Sequence, residues 1–508
     1  MTDLPTSTHR PGSRPSAHLS KSRYMAGLQC PLRLYNDVYR RDLATPWSDT
    51  QQAIFDRGTA IGELAQQRYP GGVLVGFKPW ERAPAIAATR KLLDDPAVPA
   101  IYEAAIEHRG VFVRVDVLVR NGDGWDLVEV KASTQAEKEV FQLDAAIQYW
   151  VLTGAGLKIH RAGVLVLNRD YVYPGGEYDL SALFRLGDAT EFCRDMHGQI
   201  DQQVDEFHRL LARENPPEIG IGDHCFSPYE CPYYAHCSEG MALPRNPIDH
   251  LYRLNGRRRE ALQDLGVESI DDIPADFELT AIQERIRQAV VSGQPWQSPD
   301  LARALAEAQW PLHHLDFEAW QPALPPYPGM RPFQAIPFQF SLHVEQADGK
   351  LVHHEYLHEE SSDPRRPLAE ALLEAMGETG SIVVYSSYER TMLNALARDL
   401  PDLADPLLAL ADRLWDLLPV VRNHYYHPDF QGSFSIKRVL PALVPDAGWG
   451  ELEIADGQAA ALAYEQALAS NDAVYRDSTF ENLKAYCQQD TLAMVGLLGA
   501  LRGLCEAG

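Results

Sequence analysis

Residues 111–131 place the strongest constraint on what this chain of 508 residues folds into, because they predict two β-strands joined by a tight turn. Apolar residues alternate along both halves, and the Asn-Gly and Asp-Gly pairs at 121–124 are typical of hairpin turns. Asp116 lies within the first strand, while Glu129 and Lys131 are two apart on the second and share one face. Carboxylates that hold a divalent cation beside an ammonium suit metal-assisted phosphodiester hydrolysis. The segment therefore predicts a metal-dependent hydrolytic site.

An acidic residue two positions before a lysine is not specific by itself. Asp348 and Lys350 have the same spacing, but they lie at a turn between two apolar runs, where ordinary hairpin chemistry explains them. The first segment differs because Asp116 precedes it within a strand. Predicted helices also flank it, one with Glu63 and the next with Gln148. An exposed charged hairpin is the alternative interpretation.

With these flanking helices, the segment resembles the RecB-like branch of the PD-(D/E)XK nucleases, which implies a restriction-endonuclease-like α/β domain. The resemblance implies that Asp116 and Glu129 bind Mg²⁺ or Mn²⁺ and that Lys131 is catalytic. It also implies that Gln148 braces the site as a catalytic-site residue. Glu63 then supplies a further metal-binding acid from the first helix, although many members have a histidine there.

Four of the seven cysteines form a second pattern. Cys30 lies far upstream, and Cys225, Cys231 and Cys237 follow one another with five-residue gaps. Four thiolates complete a tetrahedral zinc site or ligate an iron–sulfur cluster. The Cys-x2-Cys pairs that are usual in zinc ribbons are absent, and a proline follows Cys30 and Cys231, as in ferredoxin-type runs. The pattern favours a cluster, while Zn²⁺ and unligated thiols stay open.

One cysteine before a nuclease core and three after it resemble the iron–sulfur subset of RecB-like nucleases. That subset includes the AddB-type helicase–nuclease subunits and the CRISPR-associated adaptation nucleases. The resemblance implies a 4Fe-4S cluster at Cys30, Cys225, Cys231 and Cys237, with Zn²⁺ as the alternative. We expect the group to be structural rather than redox-catalytic, because its ligands bracket the fold and tie the end of the domain to its start.

A second acidic pattern begins after residue 300. A short strand carries Asp316-x-Glu318, two strands, a helix and a buried strand follow, and a later long helix carries Tyr486 and Asp490. This element order is that of a ribonuclease H-like sheet. Asp-x-Glu on a strand points both acids to one face, and residues four apart are neighbours on a helix. Acids on separate elements are what a two-metal site requires.

These residues resemble the DEDD (DnaQ-like) 3′–5′ exonucleases. Asp316 and Glu318 match the first motif, and Tyr486-x3-Asp490 matches the tyrosine variant of the third. Glu389 stands where the second motif usually ends in aspartate, and glutamate is also able to bind Mg²⁺ or Mn²⁺. The resemblance implies that these acids hold the metals and that Tyr486 orients the attacking water. A degenerate domain that only binds nucleic acid or a partner is the alternative.

Lys437 and Arg438 form a basic helix start near the second set of acids. They are candidates for phosphate contacts, and a solvated helix turn explains them equally well.

The chain is too long for one core, so several domains are expected. We predict an α/β protein with an N-terminal restriction-endonuclease-like domain that has a four-cysteine metal staple, a helical connector and a C-terminal ribonuclease H-like domain. The predicted boundaries are a disordered tail at 1–18, the first nuclease domain at 19–243, a helical linker at 244–310 that loosely resembles a helix-hairpin-helix unit, and the exonuclease-like domain at 311–508.

The function predicted is that of a metal-dependent nuclease with two candidate sites, with DNA favoured over RNA as substrate. Exonuclease and endonuclease modes both stay open. A net charge of −25 argues against a protein that coats nucleic acid nonspecifically. No apolar run has membrane-span length, so a cytoplasmic location without a membrane partner is expected. Because no phosphate-binding loop is visible, any unwinding requires a helicase partner. The alternatives are a nucleic-acid-binding or assembly protein with decayed sites, and an iron–sulfur redox protein.

Overall fold

The structure is a computed structural model that describes residues 18–241, 244–445, 447–450 and 452–506. The described chain is a mixed α/β protein, which confirms the broad fold class. It divides into two compact units, and each is described by itself. The first contains residues 18–241 with Ala323–Phe333, and the second contains the described residues of 244–322 and 334–506. The predicted disordered tail lies outside the described residues, except for His18.

The first unit is built on one mixed sheet of seven strands. Its strands are β1 (Leu19–Ser20), β2 (Val73–Leu74), β3 (Ala100–His108), β4 (Val111–Asn121), β5 (Gly124–Lys131), β6 (Ile159–Leu167) and β7 (Phe184–Asp188). They pair in the order β2-β3-β4-β5-β6-β7, and β1 pairs with β4 in parallel. The run β3-β4-β5 is antiparallel, whereas β5 and β6 are parallel and are joined through a helix on one face of the sheet.

The hairpin predicted at 111–131 is confirmed as β4 and β5. The chain turns at Gly122 with φ of +56°, a conformation that side chains with a Cβ rarely adopt. Val115 and Val117 are fully buried, and Asp116 between them is on the opposite face of β4. Local sequence pattern therefore sets both the turn and the face that carries the acid.

The helices of the first unit are α1 (Lys21–Gln29), α2 (Pro31–Tyr39), α3 (Asp49–Gln66), α4 (Arg82–Asp94), α5 (Glu139–Gly154), α6 (Leu180–Leu183), α7 (Thr190–Asp195), α8 (His197–Leu211) and α9 (Tyr234–Ser238). Helix α5 is the most deeply packed of them, because residues 145–152 are all buried. It joins β5 to β6 and lies against the strands that carry Asp116 and Glu129. Polar groups on its sheet-facing side therefore lie next to the acids.

The second unit contains a five-stranded sheet and a short pair of strands. Its strands are β8 (Trp296–Gln297), β9 (Leu312–Trp320), β10 (Ile336–Glu345), β11 (Leu351–Leu357), β12 (Ser381–Val384), β13 (Leu414–Asp416) and β14 (Tyr425–Tyr426). The sheet order is β11-β10-β9-β12-β13, with β9, β10 and β11 antiparallel and β12 parallel to β9 and β13. The strands predicted between 312 and 385 are confirmed.

The helices of the second unit are α10 (Gly256–Asp264), α11 (Ala281–Ser292), α12 (Leu301–Leu305), α13 (Arg365–Ala375), α14 (Tyr388–Asp399), α15 (Ala404–Asp412), α16 (Leu417–His424), α17 (Ile436–Leu443), α18 (Gly457–Ala469) and α19 (Ala473–Glu506). Helix α19 has 34 residues and packs on β9 and β10 through an apolar face that includes Leu497 and Leu501. This packing brings Tyr486 and Asp490 to the strand that carries Asp316. None of the described helices, α19 included, combines the length and the apolar composition needed to cross a membrane.

Two segments differ from the domain boundaries read from the sequence. The described residues of 244–310, predicted as a helical linker, contribute to a hydrophobic core of the second unit through Leu262, Ile270 and Ile286, which are fully buried. Ala323–Phe333, predicted within the last domain, instead packs in the first unit, where the Tyr173 N–H donates to the carbonyl of Met330 at 2.8 Å. Neither arrangement follows from local pattern, because both depend on contacts between distant residues.

Candidate active sites

The first acidic site lies in the first unit, around the side chain of Glu129 on β5. Glu129 is 1% exposed, and its Oε1 accepts hydrogen bonds from Lys21 Nζ at 2.7 Å and from Lys131 Nζ at 2.9 Å. Gln148 Nε2 donates to the other oxygen, Oε2, at 2.6 Å. The structure therefore brings Glu129, Lys131 and Gln148 together, and Lys21 joins them from the start of α1.

Asp116 lies on the neighbouring strand and is held differently. Its Oδ2 accepts a hydrogen bond from the backbone N–H of Val130 at 2.7 Å. Burial, together with the charge of Glu129, raises the pKa of Asp116 to about 7. Burial acts the same way on Glu129, but the Lys21 and Lys131 ammoniums outweigh it and hold the pKa of Glu129 well below its usual range. Glu129 is therefore ionised at neutral pH, while the pKa of Asp116 lies near neutral pH.

Three residues of this site were not found from the sequence. Asp144 on α5 forms an ion pair with Lys131, and its position four residues before Gln148 is the helical spacing that offered a signal. Lys21 lies 108 positions from its partner Glu129, so no local pattern reports it. Glu103 on β3 adopts φ of +56°. Its neighbours Tyr102 and Ala104 pair with Val117 and Val115 of β4, so Glu103 lies opposite Asp116. A non-glycine residue in that conformation stores strain, as is common near functional sites.

Glu63 is not brought to this group. Its side chain is exposed on α3, and within the described residues no hydrogen bond or ion pair joins it to Asp116 or Glu129. The helix buries Ile61 and Ala65 instead, so the position between them faces solvent. The metal-binding role that the resemblance gives Glu63 is therefore not supported by its placement.

The four cysteines of the sequence pattern all line one small enclosed cavity of the first unit: Cys30, Cys225, Cys231 and Cys237. None of them forms a disulfide. Burial raises the pKa of the Cys231 and Cys237 thiols, and the nearby thiols add to this effect. Cys30 directly follows α1 and Cys237 lies in α9, so distant segments meet here.

Two polar groups of the cysteine cavity lack partners. Arg33 Nε and Asn36 Oδ1 are buried without a hydrogen-bond partner among the described residues, and both side chains line the cavity. Buried polar atoms of this kind are rare and call for an explanation such as an ion or a bound group.

The second acidic site lies in the second unit, where β9 and α19 meet. Ligand oxygens of Asp316, Glu318 and Asp490 all lie within 4.8 Å of one another. Glu389, in the first turn of α14, is 3% exposed and lines the same cleft of about 490 Å³. The structure therefore brings the four predicted acids into one cleft, three of them as a tight group.

The charge in this group is not balanced. Burial and the neighbouring carboxylates raise the pKa of Glu318 to about 8 and that of Asp316 well above its usual range. Burial raises the pKa of Glu389 to about 7 and that of Asp490 to about 6. Lys437 lowers the pKa of Glu318 and Asp490, and it is the cation that acts on both. The site resists carrying four negative charges, which a bound cation relieves.

Tyr486 and Trp449 both contact Asp490. Trp449 Nε1 donates to Asp490 Oδ1 at 2.8 Å, and the Tyr486 hydroxyl hydrogen-bonds the same carboxylate. Lys437 Nζ donates to the Tyr486 hydroxyl at 3.2 Å and lies over both aromatic rings. Lys437 was singled out from the sequence as a basic residue, whereas nothing in the irregular segment around Trp449 indicated a role.

A family model described as "Domain of unknown function (DUF2779)" matches residues 313–435. The match includes Asp316, Glu318 and Glu389 and ends before Tyr486 and Asp490. No curated protein matches the chain.

Proposed function

We propose that the protein is a metal-dependent nuclease that hydrolyses phosphodiester bonds of nucleic acid, with DNA the favoured substrate. The observation that carries this proposal is the group of Asp316, Glu318 and Asp490, whose oxygens converge within 4.8 Å in an open cleft beside Glu389. These acids come from one strand and two helices, and the cationic side chains described near them are too few to balance their charge. Such a group suits a pair of divalent ions. The experiment that tests the proposal is cleavage of labelled DNA and RNA with Mg²⁺ or Mn²⁺ against EDTA.

The finer fold is part of the proposal. In the second unit, the strand order β11-β10-β9-β12-β13, in which β10 alone is antiparallel to the other strands of the sheet, supports a ribonuclease H-like fold of the DEDD type. In the first unit, three antiparallel strands, the buried helix α5 and a parallel strand support a restriction-endonuclease-like fold of the RecB type. Asp116 and Glu129 lie on strands of the first sheet, and Asp316 and Glu318 lie on a strand of the second, as the two resemblances imply.

The residues of the second site fit Mg²⁺ or Mn²⁺, because all the candidate ligands are carboxylate oxygens. Asp316, Glu318, Glu389 and Asp490 would hold the cations. When bound, such ions supply charge neutralisation and a water of lowered pKa. Tyr486, hydrogen-bonded to Asp490 and next to Lys437, would position a water or phosphate oxygen by its hydroxyl.

Residues of the first site also fit a divalent cation. Asp116 and Glu129 would hold it, and Gln148 Oε1 is buried without a hydrogen-bond partner among the described residues, as expected of an atom that faces a water or an ion. Lys131, paired with Glu129 and Asp144, would place its ammonium near a phosphate oxygen. Buried and ordered, Gln148 would hold Glu129 in place through its amide N–H.

The cysteine cavity fits an iron–sulfur cluster better than Zn²⁺. Tetrahedral zinc with Zn–S bonds near 2.3 Å requires sulfur atoms about 3.8 Å apart. Among the described residues, no three cysteine sulfurs lie within 4.8 Å of one another, although the four thiols share one cavity. An iron–sulfur cluster lies between its cysteine ligands, so their sulfur atoms are further apart than around a single Zn²⁺. Asn36 and Arg33, with their unpartnered polar atoms, would line it.

Purified under anaerobic conditions, the chain is expected to contain iron and acid-labile sulfide in equal amounts and little zinc. The physical reason is that the four described thiols share one cavity, yet no three of their sulfurs lie within 4.8 Å of one another. Elemental analysis and the visible absorption spectrum check this, with Cys193→Ser as a matched control because Cys193 lies outside the cavity. Cys231→Ser should lose the iron, and zinc in place of iron in the wild type would contradict the assignment.

The affinity of the second site for Mn²⁺ is expected to rise steeply between about pH 6 and pH 8. Its acids have raised pKa values, about 6 for Asp490 and about 8 for Glu318, so a cation must displace protons at the lower pH. Calorimetric titration of an Asp116→Asn background isolates this site. An affinity that stays flat from pH 6 to pH 8 would show that the acids are already ionised.

A further inference from the structure

The most informative residue that the proposed mechanism does not use is Lys21. It is the first residue of α1, directly after β1, which pairs with β4 through Leu19 and Val111. The Ser20 side chain caps the helix by accepting from the backbone N–H of Arg23. Strand pairing and the cap thus fix the start of α1, and the Lys21 side chain is directed into the first site.

Lys21 and Lys131 contact the same oxygen of Glu129, but their surroundings differ. Lys131 Nζ also has the Asp144 carboxylate as a partner. For Lys21 the hydrogen bond within the described residues goes to Glu129 Oε1 alone, at 2.7 Å. The side chain is only 23% exposed. Its direct hydrogen bond is therefore to a candidate metal ligand, while the charges of Asp116 and Asp144 also favour the ammonium.

A cation bound to Glu129 would compete with Lys21 for this oxygen. Displaced from Glu129, this largely buried ammonium needs a new hydrogen-bonding anion, because an unpaired buried charge is strongly unfavourable. Of the two other acids that act on its charge, Asp116 would also hold the cation and Asp144 is paired with Lys131. In a site that acts on phosphodiesters, the anion that arrives with the cation is a phosphate oxygen of the substrate. Charge-assisted hydrogen bonds from an ammonium to phosphate are strong ones.

We propose that Lys21 is a second phosphate-binding lysine of the first site, held by Glu129 when the metal is absent and transferred to a backbone phosphate oxygen of the nucleic acid when the metal is bound. This inference rests on the proposed function of the same site. A purely structural Lys21 would only neutralise Glu129 and anchor α1. The two roles differ in what the removal of Lys21 does to metal binding.

The test compares Lys21→Met and Lys21→Arg in an Asp316→Asn background, which silences the second site. Mn²⁺ binding is measured by the electron paramagnetic resonance signal of free Mn²⁺, and KM and kcat are measured on a labelled single-stranded DNA. The matched control is Lys158→Met, the same change at a lysine of the same unit whose side chain is 58% exposed. Circular dichroism monitors folding of each variant.

Lys21→Met is expected to bind Mn²⁺ several-fold more tightly, because the competing ammonium is gone, and to lose about 10²-fold in kcat/KM. Lys21→Arg should keep most of the DNA affinity, which also covers the case in which the methionine variant folds poorly. Unchanged or weaker Mn²⁺ binding, or unchanged kcat/KM, in a folded Lys21→Met variant would overturn the assignment. If the Asp316→Asn protein binds Mn²⁺ but neither cleaves nor binds DNA, the proposed nuclease function of the first site is wrong. The proposed role of Lys21, which rests on that function, is then wrong as well.

Discussion

Replacing Glu129 with glutamine is expected to destabilise the protein by about 2–4 kcal/mol at neutral pH, because it removes the charge that two ammoniums share. Lys21 and Lys131 both contact Glu129 Oε1, and Glu129 is 1% exposed. The amide oxygen still accepts one hydrogen bond, but it does not balance a buried positive charge. Chemical denaturation at pH 7 in EDTA measures the effect.

The matched control for Glu129→Gln is Asp116→Asn in the same site. Burial raises the pKa of Asp116 to about 7, so its ionised form is costly in the folded state, and the amide should be neutral or slightly stabilising. For Glu129 the sign is opposite. Its lowered pKa contributes stability that is present above the ordinary pKa of 4.5 and is lost as the pH falls through the folded-state value. Equal effects of the two substitutions would show that the ion pairs do not act as described.

Replacing Asp316 with asparagine is expected to stabilise the metal-free protein at pH 8 by about 1–2 kcal/mol while reducing cleavage by the second site about 10³-fold. The acids of this site have raised pKa values, so their ionisation destabilises the metal-free fold as the pH rises from about 4 to above 8. Removing one charge lessens the repulsion, and it also removes a candidate metal ligand.

Thermal unfolding in EDTA at pH 5 and pH 8, with and without Mn²⁺, checks this prediction. The gain should be larger at pH 8, and Mn²⁺ should stabilise the variant less than the wild type, because only the first site is left to bind it. Glu355→Gln is the control, because Glu355 is exposed on β11. A destabilised Asp316→Asn protein at pH 8 would mean that hydrogen bonds or cations already balance the carboxylates.

The two sites therefore show opposite electrostatics around similar carboxylates. In the first, lysines hold Glu129 charged without metal, and in the second, Asp316, Glu318 and Asp490 repel one another. If both bind divalent cations, the first must give up ion pairs to do so, whereas the second only gives up protons. We expect the second site to bind metal more tightly at high pH.

The features that could be predicted from the sequence are those that depend on local sequence patterns. The β4–β5 hairpin follows from alternation and a Gly-containing turn, and the strand Asp-x-Glu and the helical Tyr486-x3-Asp490 follow from period two and spacing four. Such features can be predicted because they depend only on residues that are close together in the sequence.

The remaining features depend on contacts between distant residues. Lys21 reaches Glu129 across 108 positions, and Trp449 reaches Asp490 from an irregular segment. The positive φ of Glu103 has no signature in the local sequence. Glu63 was placed by resemblance alone, and the helix presents it to solvent because Ile61 and Ala65 form the buried stripe.

The measurement that tests the central claim most directly is cleavage of labelled single- and double-stranded DNA and RNA by anaerobically purified protein with Mn²⁺, Mg²⁺ or EDTA. Wild type is compared with Asp116→Asn, Asp316→Asn and the double variant. We expect metal-dependent cleavage that each single variant reduces and the double variant abolishes. Undiminished cleavage by the double variant, or no cleavage of any substrate by folded, metal-loaded wild type, would contradict a nuclease with these two sites.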